Sequence, residues 1–515
     1  MSHFPQGHTH DPCLHLFIDD HHVRATFAVR REFGQPEKLP APVLDDNEGR
    51  ILAWGCARFD RGRYRLWYQS ALQANVHAMA AAGVWGHGED WQFHPDEHPD
   101  ACRETQTSII CYAESDNGID WHRPDLGMVE WRGSKHNNIL FDGSAAAKQF
   151  DGGLTNMDTV SVLIDENAAD QAERYLMFLH WETLHIYDNI DAAALDRDPA
   201  VLAEFAKHRA KYICTSGDGI RWNPELKLAK YPAGGGDYSG ITRDHRNKRW
   251  WCNDRALAGL PGLGMRTAGL CSSDDLYRWP DAVDMVTYPD ADEDWGKRYE
   301  HHGMIPFTYG DQDLAYLELS IKGAPIANWL MSHRDGRKWS RIGERPLLDV
   351  GPTGSHDDTI VNAMRSPPLV VGDELLIPYN SRHTEQITFQ HFAGRSEGTM
   401  SIARLRLDGW AGMTVDRAAV MRHGKPAYVQ TMPIKVAADE LQLNIEGHAG
   451  SARVALLDES ARPIEGYTLE QCQPLDDGVR APVRWQTRSD VRELASRAVI
   501  VLVEMPAGTL WAVRL

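Results

Sequence analysis

The sequence predicts an all-β chain, a five-bladed β-propeller followed by a β-sandwich, on three observations. A seven-residue turn recurs four times, each turn follows a similar set of short apolar runs, and the texture changes to clean alternation over roughly the last hundred residues. The turns are Ser115-Asp-Asn-Gly-Ile-Asp-Trp121, Ser216-Gly-Asp-Gly-Ile-Arg-Trp222, Ser273-Asp-Asp-Leu-Tyr-Arg-Trp279 and His333-Arg-Asp-Gly-Arg-Lys-Trp339. Each has Asp or Asn third and Trp seventh. Asx-Gly is turn chemistry, because Gly accepts positive φ and the Asx side chain caps nearby amides. The Trp is expected to open the next strand and to pack on its neighbours.

Before each turn lies a run rich in β-branched and aromatic residues: Ser108–Tyr112, Lys211–Cys214, Thr267–Cys271 and Asn328–Met331. Further upstream come Arg63–Tyr68, Arg174–Leu179, Lys248–Cys252 and Asp313–Leu317. Strand, strand, strand, turn, strand is the plan of a propeller blade. A fifth unit, with strands at Thr359–Ala363, Glu374–Tyr379 and Thr399–Leu407, ends in Asp408-Gly-Trp410, a shortened echo of the turn. The expected blades span 48–135, 156–222, 237–279, 300–340 and 356–410. Residues 1–417 are therefore assigned to the propeller. The runs Leu441–Ile445, Ala452–Leu457 and Ala498–Val503 assign 418–515 to an accessory sandwich docked on it. Two insertions, 71–105 and 182–210, are longer than ordinary connections.

Composition narrows function. The chain has 515 residues, with 54 Lys+Arg against 73 Asp+Glu and a formal net charge of −19. That balance excludes a general phosphate-backbone binder, so no nucleic-acid partner is expected. The longest apolar runs fall short of the ~18 residues that a spanning helix needs. The opening residues lack a basic segment followed by an apolar one. No membrane association and a cytoplasmic location are thus expected. The eight cysteines are scattered and read as small buried hydrophobes. His-Thr-His at 8–10 and His21-His22 are read as loop histidines able to bind metal only adventitiously.

The innermost strand of each blade lines a central channel, so the residues opening those strands are the candidates for chemistry. They offer one carboxylate per blade: Glu48, Asp158, Asp237, Glu300 and Asp358. Carboxylates converging on one cavity push one pKa up and leave another low. Glycoside hydrolysis needs that division between a protonated acid and an ionised base or nucleophile. Taken singly, each is more commonly a solvated loop acid, and it is their repetition at equivalent positions that points to a site. Glu300 is the expected general acid, since His301, His302 and an adjacent aromatic can tune it. Asp158 is the expected base or nucleophile and Asp237 an orienting group, with Asp358 and Glu48 in reserve. His301 and His302 are candidates for a sugar hydroxyl or a central metal, Arg365 and Arg382 for an anionic group, and Trp181 for stacking on a sugar ring. Packed histidines, surface arginines and blade-packing tryptophans are the ordinary alternatives.

The order of Tyr64-Arg-Leu-Trp-Tyr68, Ala113-Glu-Ser-Asp-Asn-Gly-Ile-Asp-Trp121, Gly133-Ser-Lys-His-Asn-Asn-Ile139 and the repeated turns resembles the five-bladed propeller glycoside hydrolases of families 32, 43, 62 and 68. It looks most like family-32-like hydrolases with a C-terminal β-sandwich. Arg453–Cys472 is similar to that sandwich, and Phe17–Asp20 to the group's N-terminal strand. The resemblance implies a glycosidase releasing a terminal, furanoside-type sugar from a small glycoside or oligosaccharide. The Asn-Asp-Pro-Asn-Gly motif of fructan-active members is absent, so no residue-by-residue transfer is made. A glycoside phosphorylase, with Arg266, Arg365 and Arg382 as phosphate ligands, and a non-catalytic sugar-binding propeller remain open. No cofactor is expected, a central structural metal ion being the single exception left open, and a homo-oligomer is equally open.

Overall fold

A computed structural model describes residues 9–45, 50–72, 109–131, 133–141, 155–183, 200, 209–230, 239–258, 265–280, 283–287, 299–321, 325–334, 338–384, 396–447 and 451–515. Glu48 and Asp237 lie outside them, as do most of the 71–105 and 182–210 insertions.

Strands are the dominant regular structure among the described residues. Five antiparallel groups of strands follow one another along the chain, each built outward from its first strand; the last two, called the fourth and fifth sheets below, are halves of one nine-stranded sheet joined by a parallel pairing of Ile326 with Ile360. The first holds Arg50–Asp60, Arg63–Leu72, Ile109–Ser115 and Ile139–Phe141. In the second are Thr155–Ile164, Tyr175–Thr183, Arg209–Ser216 and Lys227–Lys230. The third has Gly240–Asp244, Arg249–Ala258, Met265–Ser273 and Asp284–Met285. Tyr299–Tyr309, Gln312–Ile321, Ile326–His333 and Ser340–Ile342 form the fourth. The fifth has Ile360–Ala363, Glu374–Thr384 and Ser396–Arg406, and its outer edge is Glu37–Lys38, taken from ahead of the first sheet.

Polar contacts link the sheets in cyclic order. Arg58 Nε donates to Val162 O at 2.9 Å, Ser161 Oγ to Ile241 O at 2.9 Å, and the His245 amide to Thr308 Oγ1 at 3.3 Å. Asn328 Nδ2 donates to Val361 O, and the Arg365 amide returns to Gly55 O in the first sheet at 2.8 Å. Between sheets the spaces are filled by side chains such as Trp67, Tyr112, Tyr175 and Met177, all buried. The described cysteines are free, and all except Cys13 are buried.

The repeated turns owe their shape to their first and third residues. Ser115 Oγ accepts the Gly118 amide at 2.9 Å, while Asn117 Oδ1 accepts those of Ile119 and Asp120 at 2.9 and 2.8 Å. Ser216 and Asp218 repeat the pattern. Gly118 and Gly219 stand at φ of 78° and 77°, which glycine adopts freely. The Trp does not open the fourth strand in the first three sheets. Its segment bridges back to the preceding strand, Glu114 to His122 and Ser216 to Trp222, and the edge strand forms later. The local Asx bonds hold the chain in a closed turn, and only in the fourth sheet does a strand follow Trp339 directly.

The last hundred residues lie in two further sheets. One runs Val29–Phe33, Ala411–Val415, Thr509–Arg514, Gln442–Glu446 and Gly478–Pro482, with Leu14–Leu16 also on Thr509–Arg514. The other runs Val23–Phe27, Ala427–Thr431, Ala498–Met505 and Ile434–Lys435, with Arg453–Leu457 also on Ala498–Met505. Both contribute to one core that includes Val429, Leu443, Val454, Trp485, Val501 and Val503. Three strands from residues 14–33 and one from 411–415 thus pair outside the expected 1–417 unit, because non-local edges complete these sheets. Asp408, Tyr309 and Arg480 join this body to the ring in one buried network.

Candidate active site

Three of the five first strands carry a one-residue bulge near their start. In the first sheet Ala53 pairs with Gln69 and Gly55 with Tyr68, leaving Trp54 over. In the second, Asp158 pairs with His180 and Ser161 with Phe178, so Thr159 and Val160 share one place. In the fourth, His301 pairs with Leu319 and Gly303 with Glu318, leaving His302 over. A bulge turns a side chain out of the ladder's alternation and is enriched beside active sites. Thr159 stands at φ 58°, fully buried, directly after Asp158. A β-branched residue there is strained by about 1–3 kcal/mol, and such strain persists where the surroundings over-determine it.

The same end of the ring gathers buried polar groups. Thr159 Oγ1, Ser239 Oγ, Asn253 Nδ2, Thr267 Oγ1, Ser320 Oγ and both amide atoms of Asn380 are buried without a hydrogen-bond partner among the described residues. Buried polar groups are normally satisfied, so such a cluster points to water or a ligand. Across the second sheet, Asp158, His180 and Lys211 occupy one register row. Lys211 pairs with Asp254 of the third sheet, and neither side chain has any exposed surface. Sequence reasoning missed this pair and the bulges. A lysine inside an apolar strand run was the available signal for the first; the second leaves no mark in composition.

Glu300 opens the fourth sheet's first strand, partly exposed, directly across from Ser320. His301 is buried, with Nδ1 2.8 Å from Thr287 Oγ1, and His302 Nδ1 is 3.1 Å from Glu318 Oε2. Asp358 precedes the fifth sheet. Burial alone would raise its pKa, but the Gly354 amide at 2.7 Å, the Thr359 hydroxyl at 2.9 Å and the His383 imidazole at 3.0 Å outweigh that and hold it below the usual range. It is thus a fixed negative charge.

Arg365 is buried in the ring's interior, 1% exposed, its guanidinium 5.6 Å from the Trp54 ring. A Cβ on Gly240 would lie 3.4 Å from Arg365 Cδ and 3.2 Å from Asn253 Oδ1, so glycine admits the arginine there. Arg365 therefore braces the first, third and fifth sheets instead of lying at the surface. Arg382 precedes His383 on its strand, and its carbonyl accepts the Thr359 amide at 3.2 Å. Burial pushes its pKa down to about 10, still cationic at neutral pH. Trp181 is a correction: with 0% exposure it packs edge-on to Tyr212, 6.0 Å between ring centroids, and offers no stacking face. Tyr175, Met177, Leu179 and Trp181 all enter the same core, so strand alternation carried the signal.

No known protein family matches the sequence, and no curated protein does. Solved structures of similar shape include a thermostable family-43 glycoside hydrolase, at TM-score 0.43 and 12% identity over 72% of this chain and 95% of that one. An N-acetylgalactosamine deacetylase from F. plautii, in complex with blood group B trisaccharide, is similar at TM-score 0.42 and 11% identity, covering 75% and 97%. An exo-β-1,3-galactanase from Phanerochaete chrysosporium is similar at TM-score 0.38 and 9% identity, covering 94% and 99%. Such likenesses do not decide the chemistry, which rests on the chain's own residues. Among the described residues no helix is long and apolar enough to cross a membrane.

Proposed function

We propose that the five cyclically linked sheets are a five-bladed propeller, that the two further sheets are a β-sandwich, and that the chain is a glycoside hydrolase acting on a terminal, furanoside-type sugar. The observation that carries this reading is the set of three bulges at the starts of the first strands, two of them beside the acids Asp158 and Glu300. Glu300, partly exposed, gives its proton to the leaving oxygen. Asp158 acts as base or nucleophile, and Asp358 adds a fixed charge that favours a positively charged sugar in the transition state. Asp237 and Glu48 remain reserve acids of the same rim. The partnerless amides and hydroxyls supply hydrogen bonds to sugar hydroxyls.

The test is turnover on a panel of aryl furanosides and pyranosides. Glu300→Gln and Asp158→Asn are each expected to lower kcat by at least about 100-fold, the low end of general acid–base effects. If both variants turn over a substrate as the parent does, the assignment fails. Arg382 favours a second reading, phosphorolysis, because it is a partly buried cation on the strand whose His383 pairs with Asp358. Turnover that requires inorganic phosphate, and is lost in Arg382→Ala, would establish it over hydrolysis.

A further inference from the structure

At the other end of the ring, where the first strands finish, His15, His22 and Asp311 come together from three segments distant in sequence. Leu14 and Leu16 point into a core, which turns His15 to the opposite face of their strand. His22 follows the turn after that strand, and its carbonyl accepts the Met432 amide at 2.9 Å. Asp311 lies in the hairpin turn between the first two strands of the fourth sheet. That turn is fixed against the N-terminal strand, the Asp311 amide donating to Leu14 O at 3.1 Å and the Gly310 amide to Thr9 O at 2.7 Å. Gly310, at φ 58°, is required there, because a Cβ would sit 2.9 Å from Leu14 O.

His15 Nδ1 is 3.0 Å and His22 Nε2 2.7 Å from the same oxygen, Asp311 Oδ2. One ligand atom from each residue lies within 4.8 Å of the other two, and both histidines are buried. Two more atoms are unexplained. His15 Nε2 and Asp311 Oδ1 are buried with no hydrogen-bond partner among the described residues. We propose that His15, His22 and Asp311 bind a divalent transition-metal ion of the zinc type, which clasps the N-terminal segment and its two-sheet body to the fourth sheet.

Two imidazoles and a carboxylate make a nitrogen-rich set that suits zinc, whereas magnesium and calcium take oxygen ligands. At metal–nitrogen distances of about 2.0–2.1 Å, tetrahedral ligands stand about 3.3 Å apart. The observed 2.7 and 3.0 Å separations open by about 0.6 and 0.3 Å, and the two ring nitrogens, within 4.8 Å of each other, take up the remaining edge. Asp311 Oδ1 or a water would complete the shell. The site is structural, since the reacting rim lies at the opposite end of the strands.

The experiment uses the full chain, stripped with a chelator and titrated with Co2+, whose visible absorption reports its ligands, then with Zn2+ in competition. One equivalent of Co2+ is expected to bind and be displaced by Zn2+, and Zn2+ is expected to raise the melting temperature. Affinity should fall at least 100-fold in His22→Gln and in Asp311→Asn, and stay unchanged in a His122→Ala/His136→Ala control, two exposed histidines that pair with Glu114 and Asp125. Sub-stoichiometric uptake by the parent overturns the proposal, as does binding lost in the control. Should a cluster variant fail to fold, the parent's stoichiometry and the control decide alone.

Discussion

The two ends of the ring are made from the same strands and treat their polar groups in opposite ways. Where the first strands begin, three bulges interrupt the ladders, and amides and hydroxyls are buried without partners among the described residues. Where they finish, charges are matched. Asp60 takes both Arg174 guanidinium nitrogens at 2.7 and 2.9 Å and the Tyr175 hydroxyl, Asp244 takes Arg249 and Asn247, and Asp313 takes Arg246 at 2.8 Å. Apart from the His15–His22–Asp311 cluster, that end pairs its charges with its own residues and holds the sheets together. The other is left incomplete, as a site that awaits a ligand must be.

Substitutions at the two ends should therefore separate stability from activity. The largest stability effect is expected for Asp60→Asn, which strands the buried Arg174 and should cost about 3–5 kcal/mol in denaturant unfolding while leaving kcat near the parent's. That cost has a pH signature. Burial acts to raise the Asp60 pKa, but Arg174 and Tyr175 prevail and hold it below the usual carboxylate range. Its stabilisation is fully present above the unfolded value of about 3.9 and is lost as pH falls through the lower folded value. The gap between parent and variant should be constant from pH 7 down to about pH 5 and close in stronger acid. A gap that widens in acid would contradict the assignment.

At the strand-start end the order reverses. Thr159→Gly removes a strained β-branched residue together with its packing, so unfolding free energy should move by only about 1 kcal/mol. Activity should fall at least tenfold, as the backbone beside Asp158 loosens. Smaller still is Asn380→Leu. With both amide atoms buried and without a partner among the described residues, its replacement should leave stability within about 1 kcal/mol of the parent, or above it, and raise KM. A marked loss of stability would mean that the amide is engaged in the free protein.

Much of the fold was legible because it is local. The run Lys211–Cys214 falls within a strand, as does Arg174–Leu179 but for its first residue, and the Ser-x-Asx-Gly turns form from their own side chains. What escaped the sequence is non-local. The pairing of Leu14–Leu16 with Thr509–Arg514 joins opposite ends of the chain, and the closing strand Glu37–Lys38 is two residues long. At the site, acids at strand starts could be named, but their setting could not. A bulge adds one ordinary residue, and Thr159 gives no sign of positive φ where glycine would have. Trp181 was misread because its setting beside a long insertion outweighed the alternation that buries it.

The most direct test of the contrast between the two ends is to measure kcat and melting temperature together for Glu300→Gln and Asp60→Asn on a substrate the parent hydrolyses. The division of labour predicts that Glu300→Gln loses turnover by about 100-fold or more and melts with the parent, whereas Asp60→Asn melts several degrees lower and turns over normally at a temperature where it is folded. Loss of turnover in Asp60→Asn without loss of stability, or a Glu300→Gln enzyme that is unstable and fully active, would contradict it.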